Sequence, residues 1–300
     1  MTKIAFIGFG EAAQAMAMGL SKEPAVEGLS AFDLRFADAA QAPDLKSRAE
    51  ARKVKACTSL AEAVAGADVV LSLVVGSAAV KVGEDAGKHL RKGQVFIDLN
   101  SIGPDAKKRV GEALARGGDA DFVEGAVMAR VPPYEHKVPI LLAGGEAERA
   151  ARILTGAGMD IEAVGTEIGQ ACAVKMIRSI LVKGIEALLL ESLTAAEKAG
   201  VRERIIDSIS QTFPGLDWRQ TATYYIGRTQ QHGARRVTEM KEAAATLESF
   251  GLKPILSTAI AQTIGGSYEK LKASGLPFDR EYPEMLAALA AGGNAGEKAA

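Results

Sequence analysis

Apolar positions follow two different rhythms along this chain. In the first half, short unbroken apolar runs alternate with segments of helical character. Ile4-Ala5-Phe6-Ile7, residues 29–33, 68–75, 94–99, 121–124, 138–143 and 160–164 are such runs, and they predict strands buried on both faces of a sheet. Between them, residues 11–20, 77–90 and 105–116 carry helix formers, and Ser59-x-x-Glu62 has the form of a capping box opening a short helix through Val64. Strand–helix alternation predicts an α/β fold of Rossmann type, a doubly wound, mostly parallel sheet covered by helices. Pro139 predicts an edge position for its strand, because proline donates nothing to a ladder. The rhythm changes near Gly169. From Gln170 to Gly200 alanine and leucine dominate, which predicts one long helix, and residues 201–212, 216–230, 234–250 and 254–273 also read as helices between Pro214-Gly215, Gly251 and Pro254. The expected organisation is a dinucleotide-binding domain over 1–167 and an all-helical substrate and dimerisation domain over 168–300. The small, polar tail from Ala290 to Ala300 is expected to fray.

The first strand runs directly into Gly8-Phe9-Gly10-Glu11-Ala12-Ala13 and then into a helix. Gly-x-Gly-x-x-Ala on a strand-to-helix turn is the context that a dinucleotide fingerprint requires. Gly8 permits the tight turn, Gly10 lets a pyrophosphate approach the backbone, and Ala13 is small enough for helix and strand to pack. The helix N-terminus then offers N–H groups and the positive end of its dipole to phosphates. Asp33, 23 positions after Gly10, ends the second predicted strand. An acid there accepts hydrogen bonds from both ribose hydroxyls of NAD and repels a 2′-phosphate. Arg35 keeps NADP open, because an arginine nearby can hold that phosphate. Val74, Val75, Asn100 and Ser101, at the ends of two further strands, fall where a doubly wound sheet places its ligand.

Composition narrows the class further. The 300 residues carry 36 Lys and Arg against 37 Asp and Glu, so no global charge attracts the chain to nucleic acid or an anionic membrane. Cys57 and Cys172 cannot build a disulfide framework, and neither they nor His89 and His136 have metal-ligand spacing. The apolar run at residues 4–7 is too short for a signal segment or a membrane span. A reduced, cytoplasmic protein without a metal is the expectation.

Three segments resemble the β-hydroxyacid dehydrogenase family, the group of 3-hydroxyisobutyrate and 6-phosphogluconate dehydrogenases. They are the glycine turn at 8–13, Asp98-Leu99-Asn100-Ser101-Ile102-Gly103-Pro104, and Gly169-Gln170-Ala171-Cys172-Ala173-Val174-Lys175. Lys175-Met-Ile-Arg178-Ser179, Lys183-Gly184 and His232-x-x-Arg235-Arg236-x-x-Glu239-Met240 resemble a branch of that family with its own C-terminal domain. The resemblance implies NAD or NADP as cofactor, a small-molecule hydroxy acid as substrate, Lys175 as general acid–base group and a homodimer. The Leu-rich helix at 181–193 points the same way, because its apolar face is broad for one small domain to cover.

Departures from the family pattern locate where the substrate differs. Ser179 stands where relatives place asparagine, so Ser179 becomes the candidate donor to the reacting oxygen. The family's Asp-Ala-Pro-Val-Ser-Gly-Gly appears as Glu124-Gly125-Ala126-Val127-Met128-Ala129-Arg130. Val127 and Met128 then line the substrate, and Met128 supplies no donor. A carboxylate needs a new anchor, and Arg130, Arg178, Arg235 and His232 are the candidates, although Arg178 lies about 100° around a helix from Ser179. Burial among Ala171, Val174, Met176 and Ile177 would bring the Lys175 pKa toward neutrality, as acid–base work requires. An imine reductase on the same architecture and a non-enzymatic dinucleotide sensor are the alternatives. Lys175 argues against both.

Overall fold

A computed structural model describes residues 1–291. The chain divides into two compact units, Met1–Lys175 and Met176–Ala300.

The first unit holds eight strands: β1 Thr2–Ile7, β2 Val26–Phe32, β3 Val54–Ala56, β4 Val69–Ser72, β5 Val95–Asp98, β6 Asp121–Val127, β7 Ile140–Ala143 and β8 Ile161–Gly165. They form one sheet in the order β3-β2-β1-β4-β5-β6-β7-β8, and every neighbouring pair is parallel except β6 and β7. Helices α1 Glu11–Leu20, α2 Ala42–Glu50, α3 Leu60–Val64, α4 Ala79–Gly87, α5 Pro104–Ala115 and α6 Ala147–Gly156 connect them. The alternation along β1 explains the unbroken apolar run. Ile4 and Phe6 pack with Met16 and Leu20 of α1 on one face. Ala5 and Ile7 pack with Val110 and Leu114 of α5 on the other.

Two local expectations need revision. β7 lies between β6 and β8 and is not an edge strand. Pro139 stands one residue before it, so the missing N–H falls outside the ladder, and the Pro139 carbonyl accepts from the Met128 N–H at 2.9 Å. The capping box at α3 is also shared differently. Ser59 Oγ accepts from the Glu62 N–H, but the Glu62 carboxylate reaches back to the Thr58 N–H at 2.9 Å.

The second unit is built from the body of α7 Gln170–Lys198 with α8 Arg202–Thr212, α9 Trp218–Ser249, α10 Ile255–Ser274 and α11 Tyr282–Ala291. Its core gathers Leu189, Leu190 and Leu193 of α7, Ile226 and Met240 of α9, Ile264 of α10, and Met285 and Leu286 of α11. The two helices predicted over 216–230 and 234–250 run on as α9 across a non-helical break at His232, where φ is −136°. Beside the kink a Cβ on Gly233 would overlap Tyr268 of α10, so the glycine is what lets the two helices approach there. α11 has no counterpart in the sequence reading. The fraying expected for 290–300 falls, from residue 292 onward, outside the described residues. Among the described residues no helix is long and apolar enough to cross a membrane.

Candidate dinucleotide and substrate site

Register places the first unit's predicted site residues along one edge of the sheet. Ile7, Ser72, Asp98 and Glu124 pair in a row across β1, β4, β5 and β6. The chain leaves β1, β4 and β5 just past that row, at Gly8, Leu73 and Leu99, while β6 runs on to Val127. Gly8 has φ +88°, and a Cβ there would overlap the Leu73 carbonyl, so both conformation and space demand glycine. Gly10 is different. It is the N-cap of α1 in extended conformation, with no side chain capping the helix, and a Cβ there would meet nothing within 4 Å. The open space sits over the first-turn N–H groups of α1, the arrangement that accepts a pyrophosphate. Glu11 is exposed in that first turn, where its charge favours the helix dipole. Ala12 and Ala13 sit inside the turn, with Ala13 fully buried against the sheet. The Phe9 side chain is fully buried, in contact with Phe6 and Phe36, so only its backbone faces the turn.

Asp33, just past β2, ties the second strand to the glycine turn. One carboxylate oxygen accepts from the Phe9 N–H at 2.7 Å and the other from the Arg35 N–H at 2.9 Å. The Arg35 guanidinium adds a two-pronged contact, Nε at 2.8 Å and Nη2 at 2.7 Å. Burial works against the Asp33 charge, but Arg35 and the two backbone donors outweigh it and hold the carboxyl below its usual range. The acid and the arginine that argued for opposite cofactors are therefore partners.

At the ends of β4 and β5, Val74 is half-buried and Val75 is exposed. Asn100 is buried. Its Oδ1 accepts from the Val74 N–H at 2.7 Å, and its Nδ2 donates to Ser72 Oγ at 3.1 Å and to Asp98 Oδ1. Asn100 thus shapes the strand ends, while Ser101 is the exposed neighbour. Beneath them lies Lys107, which the sequence reading overlooked. It has no solvent exposure, and its Nζ donates to the carbonyls of Asp98 at 2.6 Å and Gly125 at 3.1 Å, with Asp98 Oδ2 at 3.3 Å. One buried ammonium clamps the ends of β5 and β6 together.

Glu124 opens the altered substrate segment. It is fully buried. Its Oε1 accepts from the N–H groups of Gly169 at 2.9 Å and Ala171 at 2.8 Å, and both oxygens lie 3.3 Å from the Cys172 N–H. The carboxylate therefore caps the N-terminus of α7, the helix that bears Lys175. Gly169, at φ +112°, makes the turn that aims its N–H inward. The Cys172 thiol donates to the Gly169 carbonyl, and burial together with the Glu124 charge pushes its pKa far up, so it is no nucleophile. The sequence did carry one signal for the clamp and the cap. Asp98 and Glu124 each stand within a strand buried on both faces, where a carboxylate requires a partner.

Lys175 is half-buried six residues after Gly169. Val127 and Met128 are half-buried at the end of β6, and Ala129 and Arg130 are exposed beyond them. The remaining candidates belong to the second unit. Ser179 stands one helical turn after Lys175 on α7 and is half-buried, whereas Arg178 is exposed. On α9, His232 is the kink residue and half-buried, and Arg235 is exposed, 3.5 Å from Glu239. Two ion pairs join α7 to α9 there, one half-buried at Glu239 and one fully buried at Glu186. Lys183 Nζ lies 2.9 Å from Glu239, and Glu186 binds both Arg236 nitrogens Nε and Nη2 together with the Thr229 hydroxyl. Burial lifts the Glu186 carboxyl above its usual range against the pull of Arg236. Among the described residues no group of His, Cys, Asp and Glu could hold a metal ion.

Residues 3–165 match the NAD binding domain of 6-phosphogluconate dehydrogenase. The chain belongs to this family. Residues 196–265 match a further domain of unknown function. A conserved hypothetical protein from Sinorhizobium meliloti 1021 is 54% identical, with a TM-score of 0.85 over 97% of this chain and 96% of that one. The conserved protein MTH1747, described as structurally similar to 3-hydroxyacid dehydrogenases, is 29% identical, with a TM-score of 0.74 over 92% of this chain and all of that one (100%). The 3-hydroxyisobutyrate dehydrogenase of Mycobacterium tuberculosis, solved with L-serine, shares the fold at 21% identity, with a TM-score of 0.74 over 96% and 99% of the two chains.

Proposed function

We propose that the protein is a nicotinamide-dependent dehydrogenase acting on the hydroxyl group of a β-hydroxy acid or a related hydroxy compound. One observation carries this reading. The helix that bears Lys175 starts against Glu124, in the same strand-end row from which the glycine turn and Asn100 emerge. A lysine on the opening turns of a helix held at that edge is well placed for proton transfer to a ligand lying there.

Bound over Gly8–Ala13, with Asp33 toward the adenosine ribose and Val74, Val75, Asn100 and Ser101 along its path, a dinucleotide supplies the two-electron acceptor or donor. The residues of the chain do the rest. Lys175 takes the proton of the substrate hydroxyl during oxidation and returns it during reduction. Ser179 donates to the reacting oxygen, and Asn100 holds the Val74 backbone while Ser101 faces the substrate. Met128 replaces the small, hydrogen-bonding residues that relatives place there with a soft apolar chain. A bulkier substrate than 3-hydroxyisobutyrate follows, with Arg130 as carboxylate anchor and Val127, Arg178, His232 and Arg235 as further contacts. Asp33 favours NAD over NADP, since Arg35 is engaged by Asp33 itself.

We also propose a homodimer formed through α7. Val174, Ile177, Leu181 and Leu188 follow one another at helical spacing, and all are exposed, Leu181 by 71% and Leu188 by 70%. A stripe of that kind on a helix fits a two-fold contact with a second copy.

The test is a turnover screen with NAD and NADP across hydroxy acids of increasing bulk and across cyclic imines. Oxidation of a bulky hydroxy acid is the expected result. Best turnover of 3-hydroxyisobutyrate would refute the reading of Met128 and Arg130, and turnover confined to cyclic imines would make the protein an imine reductase.

A further inference from the structure

We propose that Glu124 is a positioning residue for Lys175. Its carboxylate fixes the first turn of α7 and adds a negative charge that helps Lys175 hold its proton. The inference rests on Lys175 being the acid–base group.

The geometry is that of an internal anion site filled by the protein. Three N–H groups at the start of α7, from Gly169, Ala171 and Cys172, converge on one carboxylate. That carboxylate has no exposure to solvent, so water neither satisfies those donors nor screens the charge. Few placements of a charge couple so strongly to a helix, because the N-terminal dipole end is positive and the medium is dry. Two neighbouring groups have other commitments. Lys107 is already committed to Asp98 and to two carbonyls, and the Cys172 thiol stays protonated. Gly169 contributes the second half of the device. Its φ of +112° belongs to glycine, and a Cβ there would press on Pro104 at 3.1 Å, so another residue would turn the first N–H away from Glu124.

Lys175 lies six residues along the helix, about 9 Å of axial rise from Gly169. A buried carboxylate at the N-terminus offsets the positive dipole end and favours the lysine ammonium. Removing the charge while keeping the shape therefore leaves more Lys175 as free amine at any given pH. Between water-like and protein-like screening, a unit charge at that distance changes the free-amine fraction roughly two- to twentyfold. Loosening the first turn also moves Nζ, and a misplacement on the order of 1 Å costs about a hundredfold in rate.

The experiment uses the full chain without substrate. Each lysine is labelled competitively with trace acetic anhydride at fixed pH, and the Lys175 reactivity is read by mass spectrometry against the exposed Lys92. Glu124→Gln is expected to raise Lys175 reactivity roughly two- to twentyfold, and Glu124→Asp, which keeps the charge, to return most of the way to the parent. Gly169→Ala tests the same turn from its other side and should also shift Lys175 while Lys92 stays constant. In turnover with NAD and the best hydroxy acid, Glu124→Gln should lower kcat about ten- to a hundredfold, leave the NAD Kd unchanged and be partly rescued by Glu124→Asp. Unchanged Lys175 reactivity in both Glu124→Gln and Gly169→Ala would overturn the proposal. So would equal loss in Glu124→Gln and Glu124→Asp, which marks a merely structural role. Full turnover in Lys175→Ala sinks the acid–base reading instead, and the labelling still decides whether Glu124 controls Lys175.

Discussion

At the scale of single residues, the site is organised by charges that finish a hydrogen-bond account. Asp33 is the clearest case, accepting from two backbone N–H groups and from Arg35. Position and spacing made Asp33 legible in the sequence. Its grip on Arg35 was not legible, because a side-chain pairing two residues away depends on rotamers that no pattern encodes. Asp33→Ala should erode a preference for NAD, since it removes the ribose acceptor and releases Arg35 for a 2′-phosphate. Fluorescence titration with NADH and NADPH measures this, and an unchanged ratio of the two Kd values would contradict it. The pH dependence has a defined sign. The folded-state pKa of Asp33 lies below its unfolded value, so its stabilisation is complete above about pH 4 and is lost as pH falls through the folded value. The stability gap between parent and Asp33→Asn in urea melts should therefore shrink below about pH 4 and stay level above it.

At the scale of elements, hydrophobic rhythm predicted what packing against one sheet dictates and missed what packing between helices decides. β1, β4 and β5 were legible because both faces are covered by apolar residues. β3, with three residues, is too short for a rhythm. The break expected between residues 230 and 234 is the kink at His232, where His232 and Gly233 interrupt good helix formers. α11 was missed because its apolar residues Met285, Leu286 and Leu289 follow a Pro-containing start. Glu186 spans the kink by holding Thr229 on one side and Arg236 on the other. Glu186→Ala would strand Arg236 in the bundle, and the expected cost is about 3–5 kcal/mol in chemical denaturation. Replacing Glu186 and Arg236 together by methionine should cost far less. Equal losses in the two variants would show that the pair itself is not what stabilises the bundle.

At the scale of the whole molecule, the change from strand–helix alternation to continuous helix marks two units, with the division inside α7. The family and the dinucleotide fold could be read from the glycine turn, where the positive φ of Gly8 and its closeness to Leu73 demand glycine. The Lys107 clamp and the Glu124 cap could not, because both depend on partners brought together only by the sheet. The exposed stripe on α7 gives an assembly prediction. Leu188→Glu should turn a dimer into a monomer in sedimentation velocity at micromolar concentration without altering the far-ultraviolet circular dichroism. A parent that already sediments as a monomer would contradict the assembly. The central claim is that Lys175 moves the proton in a nicotinamide-dependent oxidation of a hydroxy compound. The most direct measurement compares kcat and NAD affinity for the parent and Lys175→Ala, using the hydroxy acid that the parent oxidises best. A loss of roughly 10²–10⁴ in kcat with NAD still bound is the predicted result. Full turnover by Lys175→Ala would contradict the account.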